Sequence, residues 1–150
     1  MVSAGVYRKA DRLLLHSVAP TKAGIGVSVP PVHRLAVDAP EVSIGAALRT
    51  VLSSPPGVVS SEKWQDWGEL GRQFLKEAGF RSWRQLDEGS KYCWVAAHDR
   101  GITLTPLRNG GRSGDRKGFQ PFGAEVVTVE VDAPNEQLGA AVLEALARCQ

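Results

Sequence analysis

The side chains that most often carry catalysis or hold metal ions are few in this sequence and lie far apart. The histidines are His16, His33 and His98, and the cysteines are Cys93 and Cys149. No pair of histidines has metal-ligand spacing, and neither cysteine lies near enough in sequence to complete a site. We therefore expect surface or satisfied structural histidines, a buried thiol at Cys93, a half-exposed thiol at Cys149 and no bound metal.

The signatures of common hydrolases and nucleotide-binding enzymes are also missing. No Gly-x-Ser-x-Gly turn is present to expose a serine nucleophile. Gly24 and Gly26 lack the third glycine and the following helix of a dinucleotide fingerprint, and residues 110–114 lack the Gly-Lys-Ser/Thr ending of a phosphate loop. We predict a protein that is not an enzyme and uses no cofactor. An enzyme with an unrecognised site is the alternative.

The most concentrated charge lies in a glycine-rich segment, residues 108–118, that we predict to be an exposed loop. Its cations outnumber its single carboxylate, Asp115, by four to one. Arginine pairs bidentately with carboxylate or phosphate groups. The alternatives are a solvated loop and a nucleic-acid-binding domain that uses the Arg108–Lys117 loop, although no interleaved aromatics support base stacking. The segment supplies four candidate partner-binding residues, namely Arg108, Asn109, Arg112 and Arg116.

A second candidate surface lies on a helix predicted from about Glu62 to Ala78. Glu62, Asp66 and Glu69 have the spacing that places carboxylates on one helix face. Trp64 stands at the helix start, where it is the tryptophan expected to protrude, and an exposed tryptophan anchors protein interfaces. These residues complete the candidate partner-binding set. An ordinary solvated face and a core tryptophan are the alternatives.

Hydrophobic patterns predict six short strands and three main helices. Pro30–Pro31 should separate two of the strands, because proline donates no ladder hydrogen bond, and residues 1–11 should be frayed. The first and last helices follow from apolar stripes over Ile44–Leu52 and Leu138–Leu146, and the middle helix should end at Gly79 in a left-handed cap. The strands are expected at Leu13–His16, Ile25–Val29, Val32–Val37, Tyr92–Ala97, Ile102–Leu107 and Val126–Val131.

One stretch of sequence occurs twice. Val37-Asp38-Ala39-Pro40 recurs as Val131-Asp132-Ala133-Pro134, and a Gly-Ala-Ala triplet follows each copy. Each copy predicts a strand, a tight turn and an amphipathic helix, with Asp38 and Glu41 resembling a capping box. Gly45 and Gly139 weaken their helices by about 1 kcal/mol each relative to alanine. Close approach of each helix to the sheet would explain that cost.

Length and composition describe one ordinary globular domain, residues 1–150. The chain is 43% hydrophobic and carries a net charge of +2, which is too small to imply nucleic-acid binding. It shows neither a secretory signal nor an apolar run of membrane-spanning length, so we expect a cytoplasmic protein with no membrane partner. The predicted fold is α+β, with a mixed, mostly antiparallel sheet of five or six strands and three main helices packed on it.

Several sequence blocks, in the same order, resemble the contact-dependent growth inhibition immunity proteins, the CdiI family. The resemblance covers about residues 10–150. The blocks are Ile44–Leu48, Phe74–Trp83, Ile102–Gly111, Gly118–Phe119 and Leu138–Leu146.

This resemblance implies a function but carries no catalytic residues over. It implies a cytoplasmic protein that binds the C-terminal toxin domain of a cognate large exoprotein, often a nuclease, and covers its active site. Nucleic acid and small molecules are then the less favoured partners. The net charge of +2 departs from the acidic surface that would mimic phosphate for a basic nuclease.

Overall fold

The structure is a computed structural model that describes residues 1–22, 26–59 and 64–150. Within these ranges, six strands form one antiparallel sheet with the order β3-β2-β1-β4-β5-β8, and two short strands form a separate hairpin. The predicted α+β fold is confirmed, and the sheet is antiparallel rather than mixed. The strands are β1 (Val2–Lys9), β2 (Arg12–Pro20), β3 (Gly26–Ala36), β4 (Lys91–His98), β5 (Gly101–Pro106), β6 (Arg108–Asn109), β7 (Phe119–Gln120) and β8 (Val127–Val129).

Helices cover both faces of the sheet. There are three main helices and one short helix in the described residues. None of these helices is long and apolar enough to cross a membrane. α1 and α4 pack on one face over the larger core, and α2 and α3 contribute to a second core on the other face. The helices are α1 (Glu41–Ser53), α2 (Trp64–Ala78), α3 (Trp83–Asp87) and α4 (Asn135–Arg148).

The N-terminal residues form a central strand, so the prediction of a frayed N-terminus is wrong. β1 pairs with both β2 and β4. Ala4 and Val6 are fully buried in the larger core, while Tyr7 points into the second core. This two-residue alternation is the signal that the basic composition of the segment obscured.

Pro30–Pro31 does not end a strand, which corrects the prediction of two strands there. β3 runs through both prolines, and a register shift between His16 and Ser17 on β2 accommodates the irregularity. Because β3 is an edge strand, a missing N–H costs no ladder bond on its open side. The predicted strand start at Ile25 lies outside the described residues.

The helix boundaries follow the predicted apolar stripes, with one exception in the capping. Gly79 has φ +87°, and the amides of Gly79 and Phe80 donate to the Leu75 carbonyl, which confirms the left-handed cap. The predicted capping box of Asp38 and Glu41 is wrong, because the residue before the first turn is Pro40 and no side chain caps the helix.

The two related sequence copies meet in space at a helix–helix crossing, not at the sheet. A Cβ built on Gly45 would lie 1.8 Å from the Asn135 carbonyl oxygen, and one built on Gly139 would lie 1.8 Å from the Glu41 oxygen. The glycines therefore allow the first turns of α1 and α4 to touch backbone to backbone, which corrects the expectation of close helix-to-sheet approach. Arg49 reinforces the crossing by donating from Nε to Asn135 Oδ1 at 3.0 Å.

Candidate functional site

An open cleft of about 770 Å³ lies between the turn that joins α3 to β4 and the β6–β7 hairpin. We call it the basic cleft, because cationic side chains dominate its charged lining. Its charged lining residues are Arg84, Asp87, Glu88, Lys91, Arg112 and Lys117.

The hairpin wall of the cleft is a closed structure rather than a free loop. β6 pairs antiparallel with β7, so Arg108 lies opposite Gln120 and Asn109 opposite Phe119. The Gly110 amide donates to the Gly118 carbonyl at 2.8 Å, and the Gly118 amide donates to the Gly111 carbonyl at 2.7 Å. The predicted exposed loop therefore begins in β6 and ends directly before β7, and its residues 111–118 are exposed.

Asn109 ties this hairpin to the opposite wall. Its side-chain amide donates to the carbonyls of Asp87 at 2.8 Å and Ser90 at 2.9 Å, and its backbone amide donates to the Gln150 oxygen at 2.7 Å. Asn109 is half-buried, and its amide nitrogen is occupied within the protein. This predicted partner-binding residue thus lines the cleft and fixes the separation of its walls.

The other three predicted residues of the segment have different surroundings. Arg112 lines the cleft, whereas Arg108 and Arg116 do not. Arg108 donates from Nη2 to Gln150 Oε1 at 3.1 Å, and its guanidinium lies 5.2 Å from the centre of the Phe122 ring. Arg116 is exposed in the hairpin turn. The structure therefore brings together Asn109 and Arg112 and places the other two outside.

In the described residues, no cation of the cleft forms an ion pair within 4.0 Å. In the part of the chain that the structure describes, the ion pairs within 4.0 Å are Arg72–Glu69 and Arg148–Glu144. Arg84, Lys91, Arg112 and Lys117 take part in neither pair. Their charge is thus available to a ligand with carboxylate or phosphate groups.

Asp87 is one of the two acidic side chains that line the cleft. Its half-buried carboxyl group lies beside the Tyr7 hydroxyl, and its Oδ1 atom is buried with no hydrogen-bond partner among the described residues. Burial raises the pKa of Asp87, against the opposing effects of the Tyr7 hydrogen bond and of Arg112 and Lys9. Burial, with smaller effects from Tyr92 and Asp87, raises the pKa of Tyr7 as well. The Oδ1 atom of Asp87 is therefore enclosed by the protein rather than open to the cleft.

His16 lies behind the cleft, enclosed by aromatic rings. The ring of Phe74 meets it edge-on with centroids 4.8 Å apart, and Tyr7 lies at 5.7 Å. His16 Nδ1 lies 2.9 Å from the Ser17 carbonyl oxygen, while Nε2 has no partner within the described ranges. The ring is fully buried, and this burial lowers its pKa to about 4. His16 is thus a neutral core residue that is only half satisfied.

The remaining candidates for chemistry are dispersed. Cys93 is buried as predicted, and Cys149 is buried rather than half-exposed. Burial raises the pKa of the Cys93 thiol, with a smaller effect from Cys149. Across residues 1–22, 26–59 and 64–150, no group of three His, Cys, Asp or Glu side chains is arranged to hold a metal ion.

The predicted acidic face falls largely beyond what the structure describes. Glu62 lies outside the described residues, as do the side chains of Trp64 and Asp66 on α2. Glu69 is 73% exposed and pairs with Arg72 at 2.7 Å, one turn along the helix. It does not line the basic cleft. Its role as a contact residue stays a prediction.

Sequence reasoning missed half of the cleft and one exposed aromatic side chain. Arg84, Asp87 and Lys91 belong to a short helix and a strand start whose sequence carries no binding motif. Trp94 is 38% exposed on β4, whereas Trp64 is the tryptophan that the sequence predicted to protrude. The alternation of buried Cys93 and Val95 on the same strand is the signal that assigns Trp94 to the other face.

Comparison with known proteins adds a family and a fold. The family model of the CDI immunity proteins (CdiI) matches residues 6–149. No curated protein matches the sequence significantly.

Two solved structures share the fold at low sequence identity. One is a protein of unknown function from Neisseria meningitidis, with a TM-score of 0.77 and 16% identity over 99% of this chain and 95% of that one. The other comes from a CdiA-CT/CdiI toxin and immunity complex of Yersinia pseudotuberculosis, with a TM-score of 0.76 and 18% identity over 99% and 97% of the two chains. Because the family match spans nearly the whole sequence, the chain belongs to the CDI immunity protein family.

Proposed function

We propose that this protein protects its own cell by binding, in the cytoplasm, the C-terminal toxin domain of a cognate contact-dependent growth inhibition exoprotein. The observation that carries the proposal is the family match over residues 6–149. The similar fold of a chain described as part of a toxin and immunity complex supports it. The protein would act stoichiometrically, by occupying a surface of the toxin, rather than by turning over a substrate.

The basic cleft and the exposed turn of the β6–β7 hairpin are the contact surface that the geometry favours. Hydrogen bonds within the hairpin and from Asn109 to the opposite wall hold this surface in one shape. A surface ordered before binding loses less conformational entropy in the complex. Its unpaired cations add long-range attraction, which raises the association rate and selects among partners.

We further propose that the toxin is a nuclease and that the bound protein covers its active site. The proposal of a nuclease comes from the family resemblance, and blocking an active site is the simplest way for a rigid protein to neutralise an enzyme. An acidic imitation of nucleic acid is not the mechanism that this surface supports, because the cleft lining carries four cations and two acids.

The decisive experiment uses the toxin domain encoded next to this gene. The domain is produced in cells with and without this protein, and its catalytically inactive form is titrated with the purified protein by calorimetry. We expect restored growth, a 1:1 complex and loss of RNA or DNA cleavage at equimolar protein. Death of cells that contain abundant folded protein would contradict the proposal.

Nucleic-acid binding is the second candidate function, and the unpaired cations of the cleft favour it. It predicts affinity for RNA or DNA in the absence of toxin, with a steep loss of affinity as salt increases. Titrating a labelled duplex and a labelled single strand at two salt concentrations distinguishes the two functions. If the protein acts in immunity, neither the duplex nor the single strand should displace the toxin domain from it.

A further inference from the structure

We propose that the basic cleft receives an acidic segment of the toxin domain, whose Asp or Glu side chains pair with Arg112 and Lys117. This inference rests on the proposed function and specifies its partner chemistry. The occupant is a protein segment with carboxylate side chains.

The charge distribution is the first argument. The lining contains Arg84, Lys91, Arg112 and Lys117 against the carboxylates of Asp87 and Glu88. None of the four cations has a carboxylate oxygen within 4.0 Å in the described ranges, whereas exposed pairs form elsewhere on the surface. Cations that converge on a concave surface without partners favour an anionic occupant.

The stiffness of the walls is the second argument. The hairpin wall is closed by the Gly110–Gly118 and Gly118–Gly111 hydrogen bonds. Asn109 holds it to the carbonyls of Asp87 and Ser90. Because both walls are fixed before binding, the cleft selects a segment by shape as well as by charge.

Nucleic acid fits this cleft less well than an acidic peptide. The carboxylates of Asp87 and Glu88 lie among the cations and would repel a continuous phosphate backbone. The described residues of the cleft include one aromatic side chain, Phe119, which is half-buried and packs against Tyr7 and Tyr92. Base stacking on exposed rings, which single-stranded nucleic acid needs, is not provided.

The surface offers a matched pair of variants for the test. Arg112→Glu/Lys117→Glu reverses two exposed cations that line the cleft, and Lys22→Glu/Arg100→Glu reverses two exposed cations outside both the cleft and the hairpin. Each variant is titrated by calorimetry against the catalytically inactive toxin domain. We expect the first to bind about 30-fold more weakly or worse, because it places like charges together. The second should stay within about tenfold of wild type.

Thermal unfolding of both variants identifies any loss of affinity that arises from misfolding. Should either glutamate pair destabilise the fold, the corresponding glutamine pairs replace them, with the same ranking expected. Charge reversal of toxin acidic residues to lysine, one at a time, should restore binding of Arg112→Glu/Lys117→Glu in at least one case.

The possible failures are distinguishable. Wild-type protein that does not bind the toxin domain overturns the proposed function together with this inference. Wild-type binding that both double variants retain equally overturns the acidic-segment inference alone. Competition between a short RNA and the toxin domain for the wild-type cleft also overturns it, because the cleft would then bind nucleic acid.

Discussion

Replacing Gly139 with alanine tests the crossing of α1 and α4 directly. The added Cβ would lie 1.8 Å from the Glu41 carbonyl oxygen and 2.6 Å from its carbonyl carbon. Because the obstructing atoms belong to the backbone, no side chain can rotate out of the way. The first turns of the two helices must therefore separate, and the Arg49 bonds to Val131 and Asn135 at 3.0 Å must lengthen with them.

Two effects of opposite sign determine the change in stability. Alanine improves a helix interior by about 1 kcal/mol relative to glycine. Forcing extra volume into a packed contact costs about 1–3 kcal/mol, and weakening each Arg49 hydrogen bond costs up to about 1 kcal/mol more. We expect a net loss of about 2 kcal/mol in the free energy of unfolding. For a chain of 150 residues, this loss lowers Tm by roughly 4–8 °C.

The assay is urea unfolding, followed by tryptophan fluorescence and far-ultraviolet circular dichroism. Gly68→Ala on α2 is the matched control, because the neighbour that its Cβ would meet among the described residues is the flexible end of the Arg72 side chain, with Nη1 at 3.6 Å. This control should gain about 0.5–1 kcal/mol. Gly45→Ala/Gly139→Ala should lose less than the sum of its single variants, since one separation of the helices relieves both clashes. A stabilised Gly139→Ala, or strict additivity in the double variant, would refute the reasoning.

Three further predictions follow from other contacts. His16 has a folded-state pKa of about 4 against an ordinary value of 6.5. Between these pH values, His16 takes up a proton in the unfolded chain but not in the folded protein. The free energy of unfolding should therefore fall by about 3 kcal/mol as the pH drops from 6.5 to 4. His16→Leu should remove this pH dependence in urea titrations. Arg49→Met should lower the free energy of unfolding by about 2 kcal/mol, because Arg49 bonds Asn135 and the backbone before α4. Arg72→Met breaks an exposed ion pair with Glu69 and should lower it by less than about 0.5 kcal/mol. Asn109→Ala should speed amide hydrogen exchange in residues 110–118 by about tenfold or more, because it removes the hydrogen bonds to the Asp87 and Ser90 carbonyls. Unchanged exchange would mean that Asn109 does not fix the hairpin.

Local periodicity predicts the parts of this fold whose contacts are near in sequence. The apolar stripes of α1 and α4 identify both helices, and Gly79 marks the end of α2 because only local backbone geometry is involved. β1 was missed because its burial comes from pairing with β4, far along the chain, rather than from its own hydrophobicity. The path of β3 through Pro30–Pro31 depends on its position at the sheet edge, which local sequence does not specify.

In the basic cleft, too, the residues near one another in sequence were predictable and those brought in from elsewhere in the chain were not. Charge density within one segment identified Asn109 and Arg112, but their neighbours Arg84, Asp87 and Lys91 come from the region before β4. These two regions meet because β4 and β5 form a hairpin and because Asn109 bonds back to the α3–β4 turn. Long-range pairing of this kind leaves no periodic trace in the sequence, so only half of the cleft was predictable.

The repeated sequence corresponds to two halves of the fold that have the same order of elements. β1 and β2 pair across a two-residue turn, with Lys9 opposite Arg12, and β4 and β5 do the same, with His98 opposite Gly101. Each hairpin is followed by an edge strand, β3 or β8, and then by the helix of its half. The two halves join at the β1–β4 pair and again at the reciprocal Gly45 and Gly139 contacts.

The basic cleft is built mainly from segments that have no counterpart in the other half. One wall comes from α3 and the turn after it, which lie between the halves, and the other from the β6–β7 hairpin, which lengthens the connection from β5 to β8. Leu86 and Phe119 of these segments pack in the second core, whereas residues 111–118 of the hairpin are exposed. On the proposed function, substitutions at these exposed positions alter partner choice without loss of the fold, which is the property that proteins matched to individual toxins require.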